Sequence, residues 1–262
     1  MSDAFIQKYG PWGLVAGASE GLGAAWAHGL AAQGLNVVLL ARREELLLGV
    51  AKDVREKHGV QVKTQVLDLA APSLAAELDK LPEEIGLAVY NAAYPSQGAF
   101  LEWPLEHQLK CVDVNIRGPL TMAHVLGKKM AARGRGGLIV MSSITAFQGS
   151  PYITTYGATK AFNLNFGEGL WFELKGKGVD VLACTAGATA TPNLFKASPQ
   201  GEPGMIEPAQ VVAEGLAALG HAPMVVTGAF NRFATFFMRR ILPRRSAVEI
   251  LGNRTVNLRL PP

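Results

Sequence analysis

Apolar runs alternate along this chain with stretches whose apolar positions recur at helical spacing. "WGLVAGA" is followed by "AAWAHGLAAQG", "NVVLLA" by "REELLLGVAKDVREKHG", and "VQVKTQVLDL" by "PSLAAELDKL". The alternation continues through "GLAVYNA", a helical region over about 104–133, "GGLIVMSS" and a second long helix over about 154–175. "VDVLACTAG", a helix near 207–219 and "PMVVTG" complete it. The strand segments are unbroken Val/Leu/Ile runs, as expected of strands buried on both faces. About seven strands alternating with six or seven helices predict an α/β fold, a Rossmann-type doubly wound parallel sheet with helices on both faces. No linker interrupts the pattern, so residues 1–262 read as one domain. The Pro/Gly-rich stretch 197–205 reads as a loop within it.

The turn after the first strand is "GASEGLG", residues 17–23. Gly17, Gly21 and Gly23 let the backbone approach a pyrophosphate closely, and the following helix start offers free N–H groups. Ser19, Glu20 and Leu22 lie between them. The same letters satisfy GxSxG, the nucleophile elbow of serine hydrolases, with Asp180 and His221 following in the right chain order. That alternative lacks the strands and oxyanion loop that must precede such an elbow. The second strand ends "VVLLARRE", with Arg42 and Arg43 where a carboxylate would select NAD. Two cations here suit the 2′-phosphate of NADPH, and two charge-assisted hydrogen bonds would favour NADPH over NADH by ~100-fold or more. The bland alternative is a solvated helix start with Arg43 paired to a nearby glutamate.

In "TTYGATKAF", Tyr156 and Lys160 stand four apart and share a helix face. A phenol titrates near ~10 and is a poor acid or base at neutral pH. A neighbouring ammonium favours the phenolate and is expected to lower that value, making the pair a proton donor to a carbonyl or an acceptor from an alcohol. The pair alone also arises by chance, so the other motifs must carry the reading.

Those motifs, in order, are "GASEGLG" (17–23), "LDL" (67–69), "NAA" (91–93), "VN" (114–115), "IVMSS" (139–143), "YGATK" (156–160) and "AGATAT" (186–191). Together they resemble the short-chain dehydrogenase/reductase family over about residues 11–230. The resemblance implies a catalytic tetrad of Asn115, Ser143, Tyr156 and Lys160, with Ser142 as the neighbouring strand residue. Tyr156 would be the general acid in reduction and Ser143 the donor to the substrate oxygen. Lys160 would lower the tyrosine pKa and hold the nicotinamide ribose, and Asn115 would keep a water-linked proton path to Lys160. Asp68 and Leu69 would flank the adenine. Asn91, Ala92 and Ala93 would line the ribose and nicotinamide side, and Thr189 and Thr191 would meet the carboxamide and phosphate. The chain departs from the family pattern at "YNAAY" (90–94), where Ala93 and Tyr94 make the substrate-side loop bulkier. It departs again at Ala186–Gly187, where the family's proline is missing. The implied activity is NADPH-dependent reduction of a ketone or aldehyde, and the implied assembly a homodimer or homotetramer. A catalytically idle NADPH-binding sensor or scaffold is the alternative.

Composition narrows the partners. At 262 residues and 49% hydrophobic, the chain can bury a sizeable core. It starts without a basic and apolar leader, has no run of ~18 uncharged apolar residues, and is expected to be cytoplasmic. The two cysteines are far apart and read as free buried thiols, and the five histidines show no metal-ligand spacing, so no metal is expected. Net charge is +4, but from Asn231 onward there are seven arginines and a single acid, Glu249. The high pI therefore belongs to a basic amphipathic C-terminal extension at about 231–262, and a nucleic-acid-binding body is not indicated. Phe233, Phe236, Phe237 and Ile241 fall on one helical face. That face packs on the chain's own domain, filling its core or covering its pocket; the alternatives are peripheral contact with an anionic membrane or lipid substrate, and a partner's groove. Aromatic residues near the cleft, including Trp103, Phe147, Tyr152 and Phe195, favour a bulky apolar substrate.

Overall fold

The computed structural model describes residues 3–81 and 83–255. In chain order the elements are α1 (Asp3–Tyr9), β1 (Trp12–Ala16), α2 (Gly21–Ala32), β2 (Asn36–Ala41), α3 (Glu44–His58), β3 (Val62–Val66), α4 (Leu74–Asp79) and β4 (Ile85–Tyr90). They continue with α5 (Leu105–Val112), α6 (Gly118–Ala132), β5 (Gly136–Ser143), α7 (Thr154–Lys175), β6 (Val179–Ala186) and α8 (Pro192–Ala197). The remainder are α9 (Pro208–Ala218), β7 (Met224–Val226), α10 (Ala229–Arg240) and α11 (Arg244–Thr255). All seven strands form one parallel sheet of order 3-2-1-4-5-6-7.

Successive strand residues serve two separate cores, which explains the unbroken apolar runs. Val15, Val37 and Leu39 face one layer with Trp26 and Leu30 of α2, Leu47 of α3 and Val211 of α9. Leu14, Val38 and Leu40 face the other, with Leu78 of α4 and Met122 and Leu126 of α6. The order reverses between β1 and β4. Beyond the carboxyl ends of these strands lies the crevice where doubly wound sheets take ligands.

The region expected as one helix over 104–133 is two helices joined by a π turn at Asp113–Arg117. Pro119, at the start of α6, has no N–H to give the carbonyl of Asn115 four residues back, so the regular ladder cannot continue there. The short helices α1 and α8 were not expected. Pro243 separates α10 from α11, as its inability to continue a helix requires. Residues 256–262 of the C-terminal extension lie outside the described residues.

Candidate active site

The glycine turn leaves the carboxyl end of β1 and is stitched to both neighbours. The amides of Gly17 and Ala18 donate to Leu40 O, and those of Asn91 and Ala92 donate to Ala16 O. Asn91 Nδ2 donates to Gly17 O at 3.1 Å. Gly17 adopts φ +87°, and a Cβ there would meet Ala92. Thr191 lies over Gly21, where a Cβ would come within 3.1 Å of its methyl, and its hydroxyl caps α8 by accepting from Leu194 N. Gly17, Gly21, Gly23, Asn91, Ala92 and Thr191 therefore come together, with Ala93 exposed next to them. Ser19 and Glu20 hold Arg43, whose Nη2 lies 2.9 Å from Ser19 Oγ and 2.6 Å from Glu20 Oε1. The alternative of Arg43 paired to a glutamate is thus what the structure shows, but that glutamate belongs to the glycine turn itself. Arg42 is exposed and forms no ion pair among the described residues. Asp68 is exposed in the turn after β3, where it accepts from Ala70 N, and Leu69 is buried behind it.

Ser143 ends β5, Tyr156 and Lys160 lie in the first two turns of α7, and Asn115 sits in the π turn. Ser142, one residue earlier on β5, turns the other way and donates to Lys160 O. Asn115 is fully buried. It accepts from Tyr94 N at 2.7 Å, and its Nδ2 donates to Tyr94 O and to Thr159 Oγ1, both at 3.0 Å. Thr159 in turn donates to Tyr156 O at 2.7 Å. One amide thus fixes the loop after β4 and, through Thr159, the backbone of the candidate acid. Thr159 stands inside "YGATK", but nothing in that spacing assigns it this bridging role. Lys160 is buried, donates to Met141 O at 3.1 Å, and lies 5.5 Å from the centre of the Tyr156 ring.

The electrostatics depart from expectation. The ammonium was expected to lower the Tyr156 pKa. Burial instead pushes the phenol up to about 12, against a hydrogen bond from Ser143 that pulls it down and a smaller upward push from Cys111. Burial also presses Lys160 down to about 8, with Cys111 opposing. Desolvation is the largest cause for both groups, because both are withdrawn from water.

The substrate side is built from loops tied across the crevice. Gly98 N donates to Tyr152 O, and Tyr152 holds a left-handed φ of 62°, a strained geometry for a tyrosine four residues before the candidate acid. Tyr94 points its hydroxyl at His107 Nδ1, 3.1 Å away, and Trp103 stacks on His107 at 3.9 Å. Thr189 donates to Gly187 O, in the loop expected to be looser without the family's proline. That loop has another support. Asn231 of α10 is buried and packs against Gly187, where a Cβ would come within 2.5 Å of its amide; it also donates to Gly204 O and Thr227 O. In the sequence Asn231 served only as the boundary of the basic extension, and its polar side chain gave no reason to place it inward.

The C-terminal extension meets this side of the molecule through polar anchors. Arg254 of α11 pairs with Glu202, and Thr255 donates to Pro151 O. The aromatic face expected to pack inward does not: Phe233 is 68% exposed, and Phe236, Phe237 and Ile241 are exposed with it. Among the described residues no helix is long and apolar enough to cross a membrane, and no group of His, Cys, Asp and Glu is placed to hold a metal. Both cysteines are free and buried. The hydrolase alternative fails on topology. Asp180 is at the amino end of β6, held by Tyr9 and Lys8, and His221 precedes β7, whereas Ser19 follows the carboxyl end of β1.

A seven-stranded doubly wound sheet with Ser143, Tyr156, Lys160 and Asn115 gathered beside a glycine turn defines a nucleotide-dependent oxidoreductase scaffold. The short chain dehydrogenase family model matches residues 12–201, and the chain belongs to that family, whose members are oxidoreductases acting on CH–OH/C=O groups. The 7beta-hydroxysteroid dehydrogenase of Collinsella aerofaciens is 37% identical over 234 residues, 86% of this chain and 89% of its own length. A solved 7beta-hydroxysteroid dehydrogenase superposes with a TM-score of 0.88 at 33% identity, covering 95% of this chain and 99% of that one. A short-chain dehydrogenase from Sphingobium yanoikuyae, solved in complex with NADPH, matches with a TM-score of 0.74 at 28% identity, covering 83% and 87%.

Proposed function

We propose that this chain is an NADPH-dependent reductase of a bulky, apolar, steroid-like ketone, and that it oxidises the corresponding alcohol in reverse. The observation that carries the reading is the set of Ser143, Tyr156, Lys160 and Asn115 assembled beyond the carboxyl ends of β4 and β5. The cofactor supplies the hydride. Its pyrophosphate would lie on the glycine turn, its adenine beside Asp68 and Leu69, and its nicotinamide between Asn91–Ala93 and Thr189. Ser143 and Tyr156 orient the substrate oxygen, Tyr156 donates the proton, and Lys160 holds the ribose side and restores that proton. Asn115, whose carbonyl Pro119 leaves without its helical donor, is the natural anchor for a water on the path to Lys160. The relatives' names support the substrate class, and an idle scaffold would have no chemical need of four such groups. Part of the reading is a single domain that assembles as a dimer or tetramer through the long helices, with Phe172 of α7 strongly exposed on one of them.

The test is a pair of binding titrations followed by turnover on ketosteroids. NADPH is expected to bind ~100-fold or more tightly than NADH. Because Glu20 already engages Arg43, Arg42 carries most of the preference. Arg42→Ala should cost NADPH about 30-fold or more in affinity and leave NADH unchanged. Equal binding of the two cofactors by the unaltered protein would sink the 2′-phosphate assignment, and absence of turnover on any ketosteroid would sink the substrate class.

A pH profile follows from Lys160. Held down to about 8, it is cationic below that value and loses its charge above it. The kcat/KM for reduction should therefore stay level up to pH ~8 and fall about tenfold per unit beyond. A profile flat to pH ~9.5 would remove Lys160 from the proton path.

A further inference from the structure

Tyr94 is gripped along its length by one face of α5 and the π turn that follows it. His107, Lys110, Cys111 and Asn115 recur at helical spacing and so share that face. The Tyr94 hydroxyl lies 3.1 Å from His107 Nδ1, and the Lys110 ammonium stands over the Tyr94 ring at 5.5 Å. The Cys111 thiol donates to Tyr94 O at 3.3 Å. Burial pushes that thiol up to about 11, which keeps it protonated for the bond. Asn115 completes the grip, accepting from Tyr94 N and donating to Tyr94 O.

An imidazole is not what packing alone would select at residue 107. His107 stacks on Trp103 at 3.9 Å, which a phenylalanine ring would do as well. Its Nε2 is buried without a hydrogen-bond partner among the described residues, and burial presses its pKa down. An orphaned buried nitrogen costs stability that an apolar ring would avoid. What the imidazole adds is the contact of Nδ1 with Tyr94. From there the candidate acid is three hydrogen bonds away. Tyr94 N donates to Asn115 Oδ1 at 2.7 Å, Asn115 Nδ2 to Thr159 Oγ1 at 3.0 Å, and Thr159 Oγ1 to Tyr156 O at 2.7 Å. The same Asn115 carries the carbonyl that Pro119 leaves without its helical donor. Next to His107, Gln108 accepts from Ser96 at 2.8 Å, so the loop stays docked on α5 when the His107 bond alone is removed.

We propose that His107 is a positioning residue for the reduction: by holding the Tyr94 ring against α5 it sets the Tyr94 backbone, and with it the Asn115 amide and the Asn115 carbonyl on the proton path to Lys160. The inference rests on the reductase reading and adds to it a residue outside the tetrad that acts through Tyr94. It also gives Tyr94 a second task. Expected from the sequence as bulk on the substrate-side loop, Tyr94 is the link between α5 and the tetrad.

The experiment follows ketosteroid reduction with NADPH, its solvent deuterium isotope effect and amide hydrogen exchange in His107→Phe, His107→Asn, Tyr94→Phe and the double Phe variant. His107→Phe keeps the stack on Trp103 and removes the bond to Tyr94. Its kcat should fall about 5- to 10-fold, the range that loss of one hydrogen bond allows, with KM and NADPH affinity within about two-fold. Its solvent isotope effect on kcat should rise, because the proton step slows. His107→Asn puts an amide where Nδ1 stood and should recover kcat to within about two-fold of the unaltered protein. Tyr94→Phe breaks the same bond, so the double variant should be at most about two-fold slower than either single one. In His107→Phe the Tyr94 N–H should exchange about 10-fold faster, while amides of β1 keep their protection. Thermal melts guard against loss of fold, and Tyr94→Phe with His107→Asn carry the test if His107→Phe melts early. An unchanged kcat in His107→Phe, no recovery in His107→Asn, or losses that multiply in the double variant overturn the proposal and leave the reductase reading standing. If the unaltered protein reduces no ketosteroid, exchange decides alone. A faster Tyr94 amide then shows that His107 sets Tyr94 and Asn115 while the reductase reading falls, and an unchanged one overturns both.

Discussion

Tyr156→Phe is expected to lower kcat for ketone reduction by about 10³-fold, within the usual range for a positioned general acid. With its phenol pushed up to about 12, Tyr156 is almost wholly protonated at neutral pH. The phenolate is therefore a minor form at pH 7. The site is thus set to give a proton rather than take one, and the reverse oxidation should speed up as pH rises. Phenylalanine keeps the ring on which Lys160 rests, so the packing of α7 survives and NADPH affinity should stay within about three-fold. Stopped-flow reduction, cofactor titration and a thermal melt check the three parts. Full-rate reduction by the Phe variant would remove Tyr156 from the chemistry. A parallel loss of cofactor binding would show that the ring, not the hydroxyl, is what matters.

Much of this site could be read from the sequence because its parts are local. The glycine turn must follow a strand and open a helix, and it does so at Ala16 and Gly21. Helical periodicity over 154–175 matches α7 residue for residue because no proline or glycine pair interrupts it. The region over 104–133 has the same apolar period throughout, so the π turn is invisible to periodicity. The cue was Pro119, whose missing N–H falls opposite Asn115. The tail misled for a different reason. An aromatic stripe implies an inward face only if the partner surface is apolar. Here α10 meets the 187 and 204 loops through Asn231, which packs on Gly187 and donates to the backbone carbonyls of Gly204 and Thr227. The pKa of Tyr156 failed in sign because spacing reports which groups are neighbours, not how much water both have lost.

The second large effect concerns backbone rather than acid. Gly23→Ala should weaken NADPH binding by at least ~100-fold and destabilise the fold by about 1–3 kcal/mol, the usual cost of overpacking a tight site. A Cβ at residue 23 would stand 1.9 Å from Gly17 O and 2.8 Å from Asn91 Nδ2. Neither neighbour can yield. Gly17 N is held by Leu40 O, Gly17 O is held by Asn91, and Gly17 itself takes a left-handed φ against Ala92, with no room there even for a Cβ. Relief must come from opening the turn, which moves the start of α2 away from β1 and scatters the N–H groups meant for the pyrophosphate. Gly49→Ala on α3 is the control. A Cβ there meets nothing within 4 Å, and alanine should stabilise that exposed helix by about 0.8–1 kcal/mol without touching cofactor affinity. The melting curves of the two variants should therefore move in opposite directions, and only Gly23→Ala should shift the NADPH titration, if the turn is the pyrophosphate site. A Gly23→Ala protein that melts early yet binds NADPH normally would mean that the turn is structural and that the cofactor is held elsewhere.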